Sequence, residues 1–182
     1  MISKKKLHIV LYQPEIAQNV GAIMRTCVAI DAKLHIIEPL GFIFDERHLS
    51  RPSANEFKFV DCTRYDDWSD FISRHPNTKL YCLSRYGQKP LSDFDFTSVN
   101  DDVFLVFGRE STGIAKQIIK DNFQTTFRIP MTAQARSINI ANAMAIASYE
   151  VLRQWDYLDL AKHEVQKGKD YIMSDAWKGV ED

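Results

Sequence analysis

Val103-Phe104-Leu105-Val106-Phe107-Gly108-Arg109-Glu110-Ser111-Thr112-Gly113 is the stretch on which the fold turns. Five apolar residues run without a polar break, end at a glycine, and give way to a polar segment closed by a second glycine. A short unbroken apolar run of β-branched and aromatic residues reads as a strand buried on both faces. The following Ile114–Lys120 reads as a helix. In an open α/β sheet, ligands bind at the carboxyl ends of such strands, and Gly108 would let one approach the backbone closely. Three familiar loops do not fit. A phosphate-binding loop needs Gly-Lys-Ser/Thr at its end, a dinucleotide fingerprint needs GxGxxG, and a nucleophile elbow needs GxSxG, whereas Ser111 falls one place late.

Outward from this stretch the chain alternates strands and helices. Leu7–Tyr12 is a buried strand stopped by Pro14. Ala17–Ile30 has Val20, Ile23, Met24, Cys27 and Val28 at helical spacing, with Asn19 near its start as a capping residue. Lys33–Glu38 is a strand closed by Pro39 and Gly41. Residues 45–50 form a helical turn, Phe57–Val60 a short strand, and Tyr65–Arg74 a helix with Trp68, Phe71 and Ile72 on one face. Lys79–Ser84 and Thr125–Ile129 are strands, the latter stopped by Pro130, and Asn139–Trp155 is a long helix. The pattern predicts an α/β fold: a mostly parallel sheet flanked by helices. Residues 1–157 make one domain, and residues 158–182, mixed in charge, an extension.

Composition narrows the class. The chain has 182 residues, 45% hydrophobic, enough for one domain with a real core. No apolar run reaches the ~18 residues of a membrane span, and Gln13, Pro14 and Glu15 interrupt any signal peptide after Lys4-Lys5-Lys6, so no membrane is expected and the setting is cytoplasmic. Cys27, Cys62 and Cys82 show no metal-ligand spacing and read as small buried hydrophobes, so no metal is expected. The net charge of −1 lacks the basic bias of a broad nucleic-acid footprint. A local patch could still be drawn from Lys4, Lys5, Lys6, Arg25, Arg47, Arg51, Arg85, Lys89, Arg109 and Arg136. Arg25 sits within an apolar helical stretch, either snorkelling from the helix edge or held there for function. Ser137 is a plausible cap for the long helix.

Three blocks in fixed order resemble the motifs of the SPOUT superfamily of knotted RNA methyltransferases. They are Asn19-Val20-Gly21-Ala22-Ile23-Met24-Arg25-Thr26-Cys27, then Leu105–Gly113, then Arg128-Ile129-Pro130-Met131 with Arg136-Ser137-Ile138-Asn139-Ile140-Ala141-Asn142. Ile9–Ile16 and Ile37-Glu38-Pro39-Leu40-Gly41-Phe42 narrow the resemblance to small tRNA wobble 2′-O-methyltransferases of the TrmL type. It covers Leu7 to Tyr157. The resemblance implies a C-terminal trefoil knot, a homodimer built on Ala17–Ile30 and the long helix, and S-adenosyl-L-methionine as cofactor, leaving S-adenosyl-L-homocysteine. The implied substrate is the tRNA anticodon stem-loop, methylated at the wobble cytidine or uridine. Another RNA such as rRNA, or a non-catalytic knotted RNA-binding protein, are the alternatives.

By the same resemblance Leu83, Gly108, Ile129 and Ser137 contact the cofactor. Arg25, Asn19, Glu110, Ser137 and Asn139 are the catalytic set. An arginine is a poor proton acceptor, so Arg25 is expected to stabilise the developing alkoxide and a nearby phosphate, with Asn19 and Glu110 supporting it. Two departures stand out. Arg51-Pro52-Ser53-Ala54-Asn55-Glu56 replaces the family's Arg-Ala-Gly-Leu-Asp-Tyr, and Arg109 stands where some members have proline.

Overall fold

A computed structural model describes residues 5–98, 101–174 and 178, with only the backbone of Glu46 and Arg47; Lys4 of the candidate patch lies outside the described residues. Seven strands form one sheet: β1 Leu7–Tyr12, β2 Lys33–Ile37, β3 Cys62–Tyr65, β4 Leu80–Leu83, β5 Lys89–Pro90, β6 Val103–Phe107 and β7 Thr126–Arg128. Their order is β3-β2-β1-β6-β4-β7-β5, and every pairing is parallel. The helices are α1 Ala17–Ala29, α2 Glu46–Leu49, α3 Trp68–Arg74, α4 Lys116–Asp121 and α5 Ile140–Gln154.

Strand side chains alternate between two cores. Leu7, Ile9, Leu11, Leu34, Ile36, Leu105 and Phe107 face α1 and α5, packing with Val20, Ile23, Met24, Met144 and Val151. Val10, Ile37, Cys82, Phe104 and Val106 face α3 and α4, packing with Phe71, Ile118 and Ile119. Both faces are covered, so the central strands can be apolar throughout, as their sequences anticipated.

The structure moves three elements. Phe57–Val60 is not a strand: Glu56–Lys58 is a 3-10 turn entered through Ala54 and Asn55 at positive φ. The strand is instead Cys62–Tyr65, which pairs with β2 although only its last residue is buried. The next helix starts at Trp68, because the Asp67 carboxylate accepts from the Asp70 N–H at 2.8 Å and caps it there. Helix α4 starts at Lys116 because Gly113 and Ile114 close a turn on the end of β6. The two-residue β5 carries no sequence signal; it exists only as an edge partner of β7.

Cys27 and Cys82 are buried and Cys62 half-buried, all as free thiols. Burial pushes Cys62 and Cys82 up to about 12 and Cys27 higher still, so none offers a thiolate near neutral pH.

Candidate active site

Because the strands are parallel, the loops after β1, β4, β6 and β7 leave from one edge of the sheet. β1, β6, β4 and β7 are neighbours in that order, so Gln13–Ile16, Ser84–Gln88, Gly108–Ala115 and Ile129–Asn139 lie side by side. This is where an open α/β sheet binds ligands.

The loop after β6 folds into a tight turn. Arg109 N–H donates to Gly113 C=O at 3.1 Å and Gly113 N–H to Arg109 C=O at 2.9 Å. Gly113 has φ +75°, and a Cβ on Gly108 would sit 2.2 Å from the Gly113 carbonyl carbon. The turn itself therefore requires glycine at 108, where the sequence suggested room for a ligand. Gly87 is a second close approach, missed by the sequence reading: a Cβ there would lie 2.2 Å from the Phe127 carbonyl carbon, so the loop after β4 rests directly on β7.

The turn presents Glu110, on which a chain of hydrogen bonds converges. One carboxylate oxygen accepts the Glu15 N–H at 2.9 Å and the other the Asn19 Nδ2 at 2.8 Å. Asn19 Oδ1 accepts from Asn139 Nδ2 at 2.9 Å. Asn139 Oδ1 accepts from Ala141 N–H at 2.9 Å and Asn142 N–H at 3.4 Å, capping α5. Each amide is fixed by its neighbour: a carboxylate only accepts, so Asn19 must donate to it and accept from Asn139. Two capping expectations are corrected here. Asn139, not Ser137, caps α5, and the Asn19 side chain does not cap α1, whose start lacks a side-chain cap, but bridges two loops instead. Three residues 29 to 120 positions apart thus become one network.

Glu15 completes it from the other side. Its carboxylate accepts from Ser111 N–H at 2.8 Å, Ser111 Oγ at 2.7 Å and Arg109 Nε at 3.2 Å, with Arg109 Nη2 at 3.1 Å. The Ser111 hydrogen bonds foremost, then the Arg109 charge, hold this carboxyl below its ordinary value. In the sequence Glu15 stood only within the Ile9–Ile16 stretch that narrows the resemblance and as an interruption of any signal peptide, without a role of its own.

Arg25 is not in this network. It lies on the exposed side of α1 and has no hydrogen-bond or ion-pair partner among the described residues. Its exposure fits a side chain that leaves the helix edge, and among the described residues the guanidinium is free to meet an anion. Arg51 and Arg136 are likewise exposed and unpaired among the described residues. Lys5 donates to Thr97, Lys6 pairs with Asp31, Lys89 sits over Phe94, Arg85 lies beside Tyr86 and Arg109 is held by Glu15. The candidate patch shrinks accordingly; the Arg47 side chain lies outside the described residues.

Leu83, Gly108 and Ile129 are half-buried at the ends of β4, β6 and β7, and Ser137 is exposed, its side chain without a hydrogen bond among the described residues. From Met131 to Ile138 the only backbone–backbone hydrogen bond among the described residues is Ala135 N–H to Thr132 C=O, at 3.1 Å. Apolar walls from Leu83 and Ile129 beside unpaired amides and carbonyls suit an adenine ring and its polar edge, so these residues fit a nucleoside cofactor. A separate cleft of about 460 Å³ touches Ile129 but runs along Pro90, Leu91, Arg128 and the outer face of α5, without Leu83, Gly108 or Ser137. Among the described residues no helix could cross a membrane and no cluster could hold a metal ion.

A parallel α/β sheet with its polar network at the carboxyl edge, drawing on three separate sequence blocks, defines a ligand-binding enzyme fold with the layout of the SPOUT class. Residues 6–149 match the SpoU rRNA Methylase family, and the chain belongs to that family. It is 36% identical over 152 residues to the tRNA (cytidine(34)-2′-O)-methyltransferase of Escherichia coli (strain K12), covering 83% of this chain and 95% of that one. It is 42% identical over 154 residues to a Bacillus subtilis (strain 168) protein provisionally named for the same activity, covering 85% and 96%. A solved structure described as "Structural insights into the 2-OH methylation of C/U34 on tRNA" superposes with a TM-score of 0.77 at 34% identity, covering 84% of this chain and 97% of that one.

Proposed function

We propose that this protein is an S-adenosyl-L-methionine-dependent tRNA 2′-O-methyltransferase acting on the ribose of the wobble cytidine or uridine. The Glu110–Asn19–Asn139 hydrogen-bond chain carries the proposal, because it joins in space the three blocks from which the resemblance was drawn. The matched relatives, 95% and 97% of whose lengths are covered, support the substrate.

Leu83, Gly108, Ile129 and Ser137 would hold the cofactor, which supplies an activated methyl group on a sulfonium, so no metal is required. Both Glu110 oxygens are already occupied, which makes Glu110 a positioning residue with Asn19 and Asn139. Arg25 meets the negative charge that develops on the ribose oxygen and an adjacent phosphate. Catalysis then rests on positioning and electrostatics. The active unit is a cytoplasmic homodimer through α1 and α5, a reading supported by Ile146 and Tyr149, each 50% exposed on the outer face of α5. Residues 1–157 are the knotted catalytic domain, residues 158–182 an extension, and the anticodon stem-loop is the RNA element bound.

The test is incubation with labelled S-adenosyl-L-methionine and bulk tRNA from a strain lacking wobble methylation, followed by mapping of the label. Label on the ribose of the first anticodon position is expected. Label at another tRNA position instead, or cofactor binding with no transfer to the tRNA while rRNA added in parallel takes label or neither RNA does, would overturn it.

A further inference from the structure

The loop after β1 is held from three sides. Gln13 N–H donates to Ile37 C=O at 3.0 Å and Gly41 N–H to Pro14 C=O at 3.0 Å, tying it to the end of β2. A Cβ on Gly41 would sit 2.6 Å from the Glu15 Cα, so the two backbones touch. Toward β6 the contact is reciprocal: the Glu15 backbone donates to the Glu110 carboxylate, and the Glu15 carboxylate accepts from the Ser111 backbone and hydroxyl and from Arg109. Two acidic residues on different loops thus each hold the other's loop, which fixes rotation as well as distance.

We propose that Glu15 is a positioning residue that sets the Arg109–Gly113 turn, and with it the Gly108 backbone and the Glu110 carboxylate, in the geometry that binds cofactor and supports methyl transfer. The proposal rests on the methyltransferase reading given above. The Arg109 guanidinium is part-exposed and set against Glu15 through Nε and Nη2. Without Glu15 nothing among the described residues would accept the Ser111 N–H or aim Arg109, while the Glu110 bonds to Asn19 and to the residue-15 N–H would persist. Loosening the turn by about 1 Å is enough to cost on the order of a hundredfold in rate.

The experiment measures S-adenosyl-L-homocysteine affinity by calorimetry, turnover of unmethylated tRNA at saturating cofactor, and thermal unfolding, for the wild type, Glu15→Ala and Glu15→Gln. The amide of Glu15→Gln keeps one acceptor for Ser111 but loses the charge toward Arg109. Expected are about tenfold weaker cofactor binding and a kcat lowered about ten- to a hundredfold in Glu15→Ala, with the tRNA KM within about threefold and Glu15→Gln intermediate. Affinity and kcat both within threefold of wild type, whatever the melting temperature does, would overturn the proposal. Should Glu15→Ala fail to fold, Glu15→Gln is judged by the same limits. Should the wild type transfer no methyl group to any tRNA, the methyltransferase reading fails, and the calorimetric arm still decides whether Glu15 sets the cofactor site.

Discussion

Two hydrogen-bond networks of similar size lie in this sheet and have opposite characters. One is the Glu15–Glu110–Asn19–Asn139 network at the carboxyl edge, charged and open to solvent. The other is a chain whose middle, His8, His35 and Tyr65, is buried beneath α3: Asp102 to His8 at 3.1 Å, His8 to His35 at 2.8 Å, His35 to Tyr65 at 2.8 Å, Tyr65 to His75 at 2.9 Å. A carboxylate only accepts, so His8 Nε2 donates to Asp102 and its Nδ1 accepts from His35 Nε2. His35 Nδ1 then accepts the Tyr65 hydroxyl, whose oxygen accepts from His75. Every bond is satisfied with all three histidines neutral. The buried chain joins adjacent strands to one another and to the residue behind α3, whereas the edge network joins loops that must meet ligands. Polar groups in the interior serve the fold when their hydrogen bonds close on themselves, and serve chemistry when one end stays open.

The largest effect expected lies in neither network. Arg25→Ala removes an exposed side chain without a hydrogen bond or ion pair among the described residues, so the protein should fold, bind cofactor and melt as the wild type. Methylation should fall by about a hundredfold to a thousandfold, the scale of losing one electrostatic stabiliser. Turnover within tenfold of wild type would remove Arg25 from the chemistry.

Asn139 sharpens the edge network. Asn139→Ala loses both the cap and the bond to Asn19, and should cost about 1 kcal/mol of stability and about tenfold or more in turnover. Asn139→Asp keeps the cap but turns an acceptor toward Asn19 Oδ1, so it should keep stability and still lose turnover. Wild-type turnover in both variants, with stability lost only in Asn139→Ala, would mean that Asn139 is only a cap.

The buried chain should respond the other way round. Tyr65→Phe leaves ring nitrogens of His35 and His75 without their partner, at about 1–3 kcal/mol, a few degrees in melting temperature for a domain of this size. Turnover below the melting range should not change. A tenfold loss of turnover with unchanged stability would merge the two networks into one.

The smallest and most graded test is pH. Burial first, then the neighbouring His8, His75 and Lys33, pushes His35 from 6.5 down to about 3. Burial lowers His8 against the opposing pull of Asp102, with Lys33 and His75 adding to the lowering; it lowers His75 as well, with Lys33 and Arg74 adding. A depressed histidine binds its proton more readily in the unfolded chain. The stabilisation is therefore complete above pH 6.5 and lost as pH falls below it, by up to about 1.4 kcal/mol per pH unit for His35 and less for the more exposed His75. Glu15 is depressed from 4.5, so its contribution stays intact until pH falls below that value. Urea midpoints should drop between pH 6.5 and 5 while cofactor affinity holds. His35→Phe should flatten that slope, and a slope unchanged in this variant would place the sensitivity elsewhere.

Leu7–Tyr12 and Val103–Phe107, buried on both faces, were the plainest of the strands legible in advance, because a continuous apolar run leaves few alternatives; Lys33–Glu38, Lys79–Ser84 and Thr125–Ile129 were legible with them. Cys62–Tyr65 was misplaced because its polar residues belong to a sheet margin whose pairing, not hydropathy, makes it a strand. Asn19, Glu110 and Asn139 were legible only as positions in a motif. Their bonds were not, since a side chain's partner 91 or 120 residues away leaves no local trace. Glu15 left only its place in the Ile9–Ile16 stretch, and the histidine chain left none at all.

The sequence by itself determined the alternation of strand and helix, the parallel sheet, the location of the site at strand ends and the family to which the chain belongs. These follow from apolar periodicity and from residue types that few other arrangements use. Tertiary structure alone decided which residue caps α5, why residue 108 is glycine, that Arg25 is free, and that Glu15 and Glu110 hold each other's loops. Those depend on distances between segments far apart in the chain, and such distances are set when the whole sheet closes, not by any stretch within it.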